Sequence, residues 1–199
     1  MTQTIPITGV LIAGGQARRF GAAKAFALYN EKPFYKYSLE ALASLSTDTL
    51  IISHPDLVDE FMKREAVPIY TDIEPYQGCG PLAGILTAIN YTTTDWYLIA
   101  PCDTPLLTAE LLQDIASAKT NQDDCVIPIV EGRKQPLIAL YHRRTKTIIE
   151  ELLKEGIYKV GALLERVEVN YLEASTKKKA FNNVNTKEDL LKIEKAEEQ

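Results

Sequence analysis

The chain reads as an α/β protein: a three-layer αβα sandwich on a mostly parallel sheet. Two observations predict this class. Short apolar runs of strand length alternate with segments whose apolar residues recur at helical spacing, from Ile7 to Tyr141, which is the rhythm of βαβ units with helices on both faces. Irregular loops rich in glycine, proline and charge follow several of these runs, and an open parallel sheet binds its ligands at the carboxyl ends of its strands.

Taken in order, Ile7–Ile12 reads as a buried strand, and Phe34–Leu45 as a helix. Thr49–Ile52 is a second strand and Leu57–Arg64 a second helix. Val67–Tyr70 is a third strand that ends before Asp72, and Leu82–Tyr91 a third helix. Trp96–Ala100 is a fourth strand, and Thr108 is placed to cap a helix running to Ala118. Cys125–Ile129 and Pro136–Tyr141 are further strands. Beyond Tyr141 the rhythm loosens into helices over Thr145–Lys154 and Val160–Glu165, then a strand over Val167–Leu172. The run Lys177–Lys179 reads as a solvated turn, and a last helix starts after Asn185, where Thr186 and Asp189 resemble a capping box. There is no internal repeat and no linker rich in Gly, Pro or Ser, so a single domain over residues 1–199 is expected.

Bulk properties exclude several classes. Of 199 residues, 46% are apolar and 25% charged, with no low-complexity tract, so a folded chain with a proper core is expected. The formal charge of −5 argues against a general nucleic-acid binder. No apolar run approaches the roughly 18 residues of a membrane span, and the N-terminus lacks the pattern of a secretory signal. Cys79, Cys102 and Cys125 form neither a disulfide ladder nor a zinc pair. A cytoplasmic setting is expected.

Four loops fall at the predicted strand ends: Ala13–Lys24, Thr71–Gly84, Pro101–Pro105 and Gly132–Pro136. The first sets Arg18, Arg19 and Lys24 within seven positions of an otherwise acidic chain. Gly14 and Gly15 let backbone N–H groups approach an anion, and the cations supply the countercharge, arginine with two parallel hydrogen bonds. The loop is not a Walker A motif, because Lys24 lies three residues past Gly21 and precedes Ala25. In the third loop Asp103 is well placed to hold Mg²⁺, which takes one or two carboxylates together with substrate phosphates. In the second, Gly78, Gly80 and Gly84 flank a helix start and suggest close backbone contact with a ligand, helix–sheet packing being the plainer explanation. Cys79 reads as a small loop residue. His54 and His142 are the only histidines, and each is expected to cap or pack. With no side-chain base at hand, the attacking group should already be ionised, as a phosphate monoester with a second pKa of about 6 is.

Five ordered motifs carry a resemblance. Ile12–Lys24 is similar to L-A-G-G-x-x-x-R-M-G-x-x-K, and Gly80–Ile85, Pro101–Pro105, Gln135–Leu140 and Phe181–Leu190 to G-P-L-A-G-I, P-C-D-T-P, Q-P-L-x-A-L and F-x-N-x-N-T-x-E-D-L. Together they resemble the molybdenum cofactor guanylyltransferase (MobA-type) family of the nucleotidyltransferase superfamily. The resemblance implies a Rossmann-like fold of the nucleotide-diphospho-sugar transferase type. It implies transfer of GMP from GTP to the molybdenum–molybdopterin (Mo-MPT) cofactor, with release of diphosphate and dependence on Mg²⁺. By the same resemblance, Ile12, Ala13, Gly14, Gly15, Gly80 and Lys24 would bind GTP, and Asp72 would contact the guanosine. Asp103 would bind GTP and Mg²⁺, and Arg18 and Arg19 would act on the triphosphate. Asn183 and Asn185 would lie near the transferred group or the pterin. A cofactor-donor protein and molybdoenzyme apoproteins would be transient partners. Phe20 and Ile12 stand where the family has Met and Leu, and Ser53-His54 where some members carry Asn. The competing expectations are cytidylyl transfer, whose enzymes usually read Ala-Ala-Gly at Ala13–Gly15, and a non-catalytic GTP-binding domain.

Overall fold

The computed structural model describes residues 6–14, 24–186, 188–191 and 193. Its main sheet has eight strands: β1 (Ile7–Ala13), β4 (Asp48–Ser53), β5 (Ile69–Tyr70), β6 (Trp96–Pro101), β7 (Cys125–Val130), β8 (Arg133–Lys134), β9 (Ala139–His142) and β10 (Val169–Glu173). Their order is β10-β7-β9-β6-β1-β4-β5, with β8 hairpinned onto β7. A small antiparallel pair, β2 (Leu28–Tyr29) and β3 (Lys32–Pro33), stands apart. The helices are α1 (Phe34–Ala43), α2 (Val58–Arg64), α3 (Pro81–Tyr91), α4 (Ala109–Ala118), α5 (Lys146–Lys154) and α6 (Val160–Leu164), and residues 188–191 are helical.

The three layers follow from period-two alternation in strands buried on both faces. Leu11 of β1 and Leu98 of β6 point into a core shared with Leu42 of α1, Phe61 of α2 and Leu111 of α4. Val10 and Ile99 point the other way, against Ile85 of α3, Leu152 of α5 and Leu163 of α6. A third cluster, Tyr29, Phe34, Val184 and Ile193, joins the small hairpin to the C-terminal segment.

The α/β class, the expected helices and the expected sheet strands are present, with shifts at their ends. Val67–Tyr70 shortens to Ile69–Tyr70, and Leu57–Arg64 divides into a 3-10 turn, Pro55–Leu57, and α2. Thr108 caps α4 by accepting from Leu111 N at 3.3 Å. Thr186 and Asp189 cap reciprocally, Asp189 N to Thr186 Oγ1 at 3.1 Å and Thr186 N to Asp189 Oδ2 at 2.9 Å. Pro136–Tyr141 yields β9, which runs antiparallel to both β6 and β7. Two features were not expected: the β2–β3 hairpin, whose turn residues Asn30 and Glu31 have positive φ, and the β7–β8 hairpin turning on Glu131-Gly132.

This topology positions the site. From β1 the chain steps outward to β4 and β5, then returns to lay β6 on the other flank of β1. A reversal of this kind opens a crevice at the strand ends. β1, β4, β5, β6 and β7 all point the same way, so the loops after β1, β5, β6 and β7 share one edge.

Candidate active site

The crevice closes around the end of β1. Cys102 N donates to Ile12 O at 3.1 Å and His54 N to Ala13 O at 3.2 Å, so the loops after β6 and β4 are pinned to the strand's last residues. Gly14 follows, and a Cβ built on it meets nothing within 4 Å among the described residues. The packing of the described residues therefore does not require glycine there. Gly15, Arg18 and Arg19 lie outside the described residues.

Lys24 re-enters in a 3-10 turn, Lys24–Phe26, held from behind by aromatic contacts. The Phe26 ring packs 5.5 Å from Tyr35 and 4.8 Å from Phe61, centroid to centroid. Tyr35 in turn donates to Glu65 Oε1 at 2.6 Å. This packing fixes the backbone from which Lys24 reaches inward, and the lysine is only 6% exposed. Its Nζ lies 2.5 Å from Asp103 Oδ2 and 2.6 Å from Asn185 Oδ1. Three segments far apart in sequence thus meet at one ammonium group.

Asp103 sits in the turn after β6. Thr104 is buried, with its hydroxyl 3.2 Å from Ser38 Oγ of α1 and 3.4 Å from Pro101 O, which sets the turn against the helix. Val184 N donates to Asp103 O at 2.9 Å, so the C-terminal segment grips the same residue from the other side. The second carboxylate oxygen, Oδ1, is buried and has no hydrogen-bond partner among the described residues. Buried acceptors are ordinarily satisfied, and an orphaned carboxylate oxygen suits a cation. Among the described residues no group of three or more His, Cys, Asp or Glu could hold a metal ion by itself. Burial, with the Asp103 carboxylate beside it, pushes the neighbouring Cys102 thiol up to about 12, which leaves it protonated and unreactive near neutrality.

The loop after β5 forms the other wall. Asp72 Oδ2 accepts from Gly78 N at 3.1 Å and Thr87 Oγ1 from Ile73 N at 3.0 Å, folding the loop onto α3. Burial raises the Asp72 pKa, against the lowering effects of the Gly78 N–H and of nearby His54. Gly80 stands before Pro81 at the start of α3 with φ +82°, a conformation that favours glycine. Gly84 has a different reason: a Cβ there would lie 2.9 Å from Ile12 Cδ1 and 3.6 Å from Asp72 Oδ1. The plainer explanation, helix–sheet packing, therefore accounts for Gly84 and leaves Gly80 at the rim.

The structure brings Lys24, Asp103 and Asn185 into direct contact and sets Ile12, Ala13 and Gly14 at the same strand end. Asn183 is exposed on the segment next to Val184. Both histidines cap turns: His54 Nδ1 accepts from Asp56 N and His142 Nδ1 from Arg144 N. Ser38, Thr104, Phe26 and the Val184 amide carry no chemistry of their own, and sequence reasoning passed them over. The only signal that could have pointed to any of them is that Thr104 and Val184 lie inside the motif segments Pro101–Pro105 and Phe181–Leu190.

Residues 9–169 match the family described as MobA-like NTP transferase domain. The chain belongs to that family. It is therefore a nucleotidyltransferase by membership as well as by loop chemistry. A probable molybdenum cofactor guanylyltransferase of Halalkalibacterium halodurans is 46% identical, covering 92% of this chain and 94% of its own. A relative of the same name from Bacillus licheniformis is 41% identical over 93% and 95%. In fold, the chain is similar to the crystal structure of molybdopterin-guanine dinucleotide biosynthesis protein A from Archaeoglobus fulgidus, with a TM-score of 0.81, 23% identity, and 95% and 97% of the two chains covered. The MobA-like match ends before the segment that carries Asn185, whereas the similarity to the relatives covers more than nine-tenths of the chain.

Proposed function

We propose that this chain transfers the GMP unit of GTP to Mo-MPT, forming the molybdopterin guanine dinucleotide cofactor and releasing diphosphate. The observation that carries the mechanism is the meeting of Lys24, Asp103 and Asn185 at the end of β1. The names of the relatives support the choice of guanine and of the pterin acceptor.

The terminal phosphate of molybdopterin is a monoester and already ionised near neutrality. One of its oxygens attacks the α-phosphorus of GTP; a new P–O–P bond forms as the α–β anhydride bond breaks, and diphosphate leaves. No proton has to be removed from the nucleophile, which agrees with two histidines that serve as turn caps. The task of the site is to position and to neutralise. Lys24 supplies a fixed positive charge to the phosphates, with Asn185 holding its ammonium group. Asp103 would hold a divalent ion, Mg²⁺ in our reading, through the carboxylate oxygen that has no partner among the described residues. When bound, that ion neutralises phosphate charge and polarises the reacting phosphoryl group. Ile12, Ala13 and Gly14, with Gly15, Arg18 and Arg19 in the segment that follows, would cradle the triphosphate. The missing methyl group at Gly14, where a Cβ would meet nothing within 4 Å among the described residues, would leave room for a purine. Asp72 and Gly80 would line the nucleoside side, Asp72 accepting from the base or ribose. Asn183, two residues before Asn185 and exposed, would face the pterin side.

The test is product formation from GTP, Mg²⁺ and Mo-MPT by the purified protein, with CTP as the competing donor. GTP-dependent release of diphosphate, at least about tenfold faster than with CTP, is expected. Preference for CTP would move the chain to the cytidylyl reaction, and GTP binding without diphosphate release would make it a nucleotide-binding domain.

A further inference from the structure

Lys24 and Asp103 have separate partners in the reaction, a phosphate and a metal ion. In the structure they hold each other, Nζ to Oδ2 at 2.5 Å, with Lys24 almost wholly buried. Two of the three ammonium N–H groups are engaged, by Asp103 and by Asn185. Among the described residues no group of three or more His, Cys, Asp or Glu side chains is gathered there to make a metal cage. An ammonium group and a divalent ion therefore share one carboxylate, and like charges repel strongly where water is scarce.

We infer that Lys24 is the built-in counter-ion of Asp103 and makes metal binding depend on the nucleotide. The inference rests on Asp103 as the metal ligand proposed above. Without nucleotide, the metal ion must either displace the ammonium group from Oδ2 or tolerate it on the same carboxylate. A triphosphate removes this conflict, because its negative charge binds both cations. Linkage makes the effect reciprocal: the metal ion raises triphosphate affinity by the same factor. The lysine thus does two things with one charge. It binds phosphate when nucleotide is present, and it guards the carboxylate against divalent ions when nucleotide is absent.

A lysine that only bound phosphate would leave the affinity for metal alone unchanged. The probe is Mn²⁺ in the absence of nucleotide, followed by electron paramagnetic resonance of the free ion. Lys24→Met should bind Mn²⁺ about tenfold or more tightly than the unsubstituted protein, although its activity is lost. Lys24→Gln, neutral but still able to donate to Asp103, protects the test against a folding defect and should shift in the same direction. Mn²⁺ should also raise the melting temperature of either variant more than that of the unsubstituted protein. Equal or weaker Mn²⁺ binding in folded Lys24 variants would overturn the counter-ion role alone. If Asp103→Asn added to Lys24→Gln leaves the tightened binding in place, Asp103 is not the ligand, and both the counter-ion role and the metal assignment fall.

Discussion

Lys24 and Asp103 form an ion pair in the folded protein and are each proposed to serve the reaction separately, so their variants should show two effects. Each change to alanine should lower kcat/KM by about 10²–10³, the usual loss for one preorganised electrostatic contact. Each should also lower stability, because it leaves a buried charge without its partner. The full penalty for breaking a buried pair is about 3–5 kcal/mol; Asp103, 17% exposed, should lie below that range. The double variant should be less destabilised than the sum of the singles, which thermal melting checks directly. Asp72 behaves differently. Burial holds its folded pKa above the unfolded value, so the folded state keeps the proton longer. Its contribution is most favourable below the unfolded pKa and declines as pH rises through the window up to the folded pKa. Asp72→Asn should therefore be at least as stable near neutrality, with the amide oxygen accepting from Gly78 N in place of carboxylate Oδ2, and the decline should vanish from its stability-versus-pH curve. A larger KM for GTP in that variant would report the nucleoside contact.

At the scale of elements, the crevice depends on α3 lying close to β1. Gly84→Ala places a methyl group 2.9 Å from Ile12 Cδ1, and overpacking of this kind costs about 1–3 kcal/mol. Ile12→Val removes that Cδ1 atom and should recover most of the loss in the double variant, read by denaturant midpoint. The elements also show what was legible in the chain. Ile7–Ile12, Phe34–Leu45 and Trp96–Ala100 were readable because apolar spacing records burial. The reversal of β9 was not, since an apolar run has no direction; it is set by the short β7–β8 connection and the pairing with β6. The β2–β3 hairpin escaped notice because Asn30 is its only turn signal and Glu31 carries a positive φ without being glycine. The candidate site residues stand out in the sequence through motif chemistry, but their contacts do not. Lys24 meets Asp103 across 79 positions and Asn185 across 161, and no local pattern encodes either pairing.

At the scale of the whole molecule, the C-terminal segment completes a site that the central strands begin. Val184 is fully buried between the small hairpin and the start of α1, and its amide grips Asp103. Val184→Asp should detach this segment and abolish turnover. The two larger cores lie on either face of the sheet and do not include Val184, so the far-ultraviolet circular dichroism spectrum should be little changed. The most direct measurement for the chemistry is label transfer in the presence of Mo-MPT and Mg²⁺. With GTP labelled at the α-phosphate, the label should enter the pterin product, and with label at the γ-phosphate it should leave in diphosphate; Asp103→Ala should transfer neither at a comparable rate. Label from the γ-phosphate in the pterin product, or α-label that stays in free nucleotide, would contradict GMP transfer by this site.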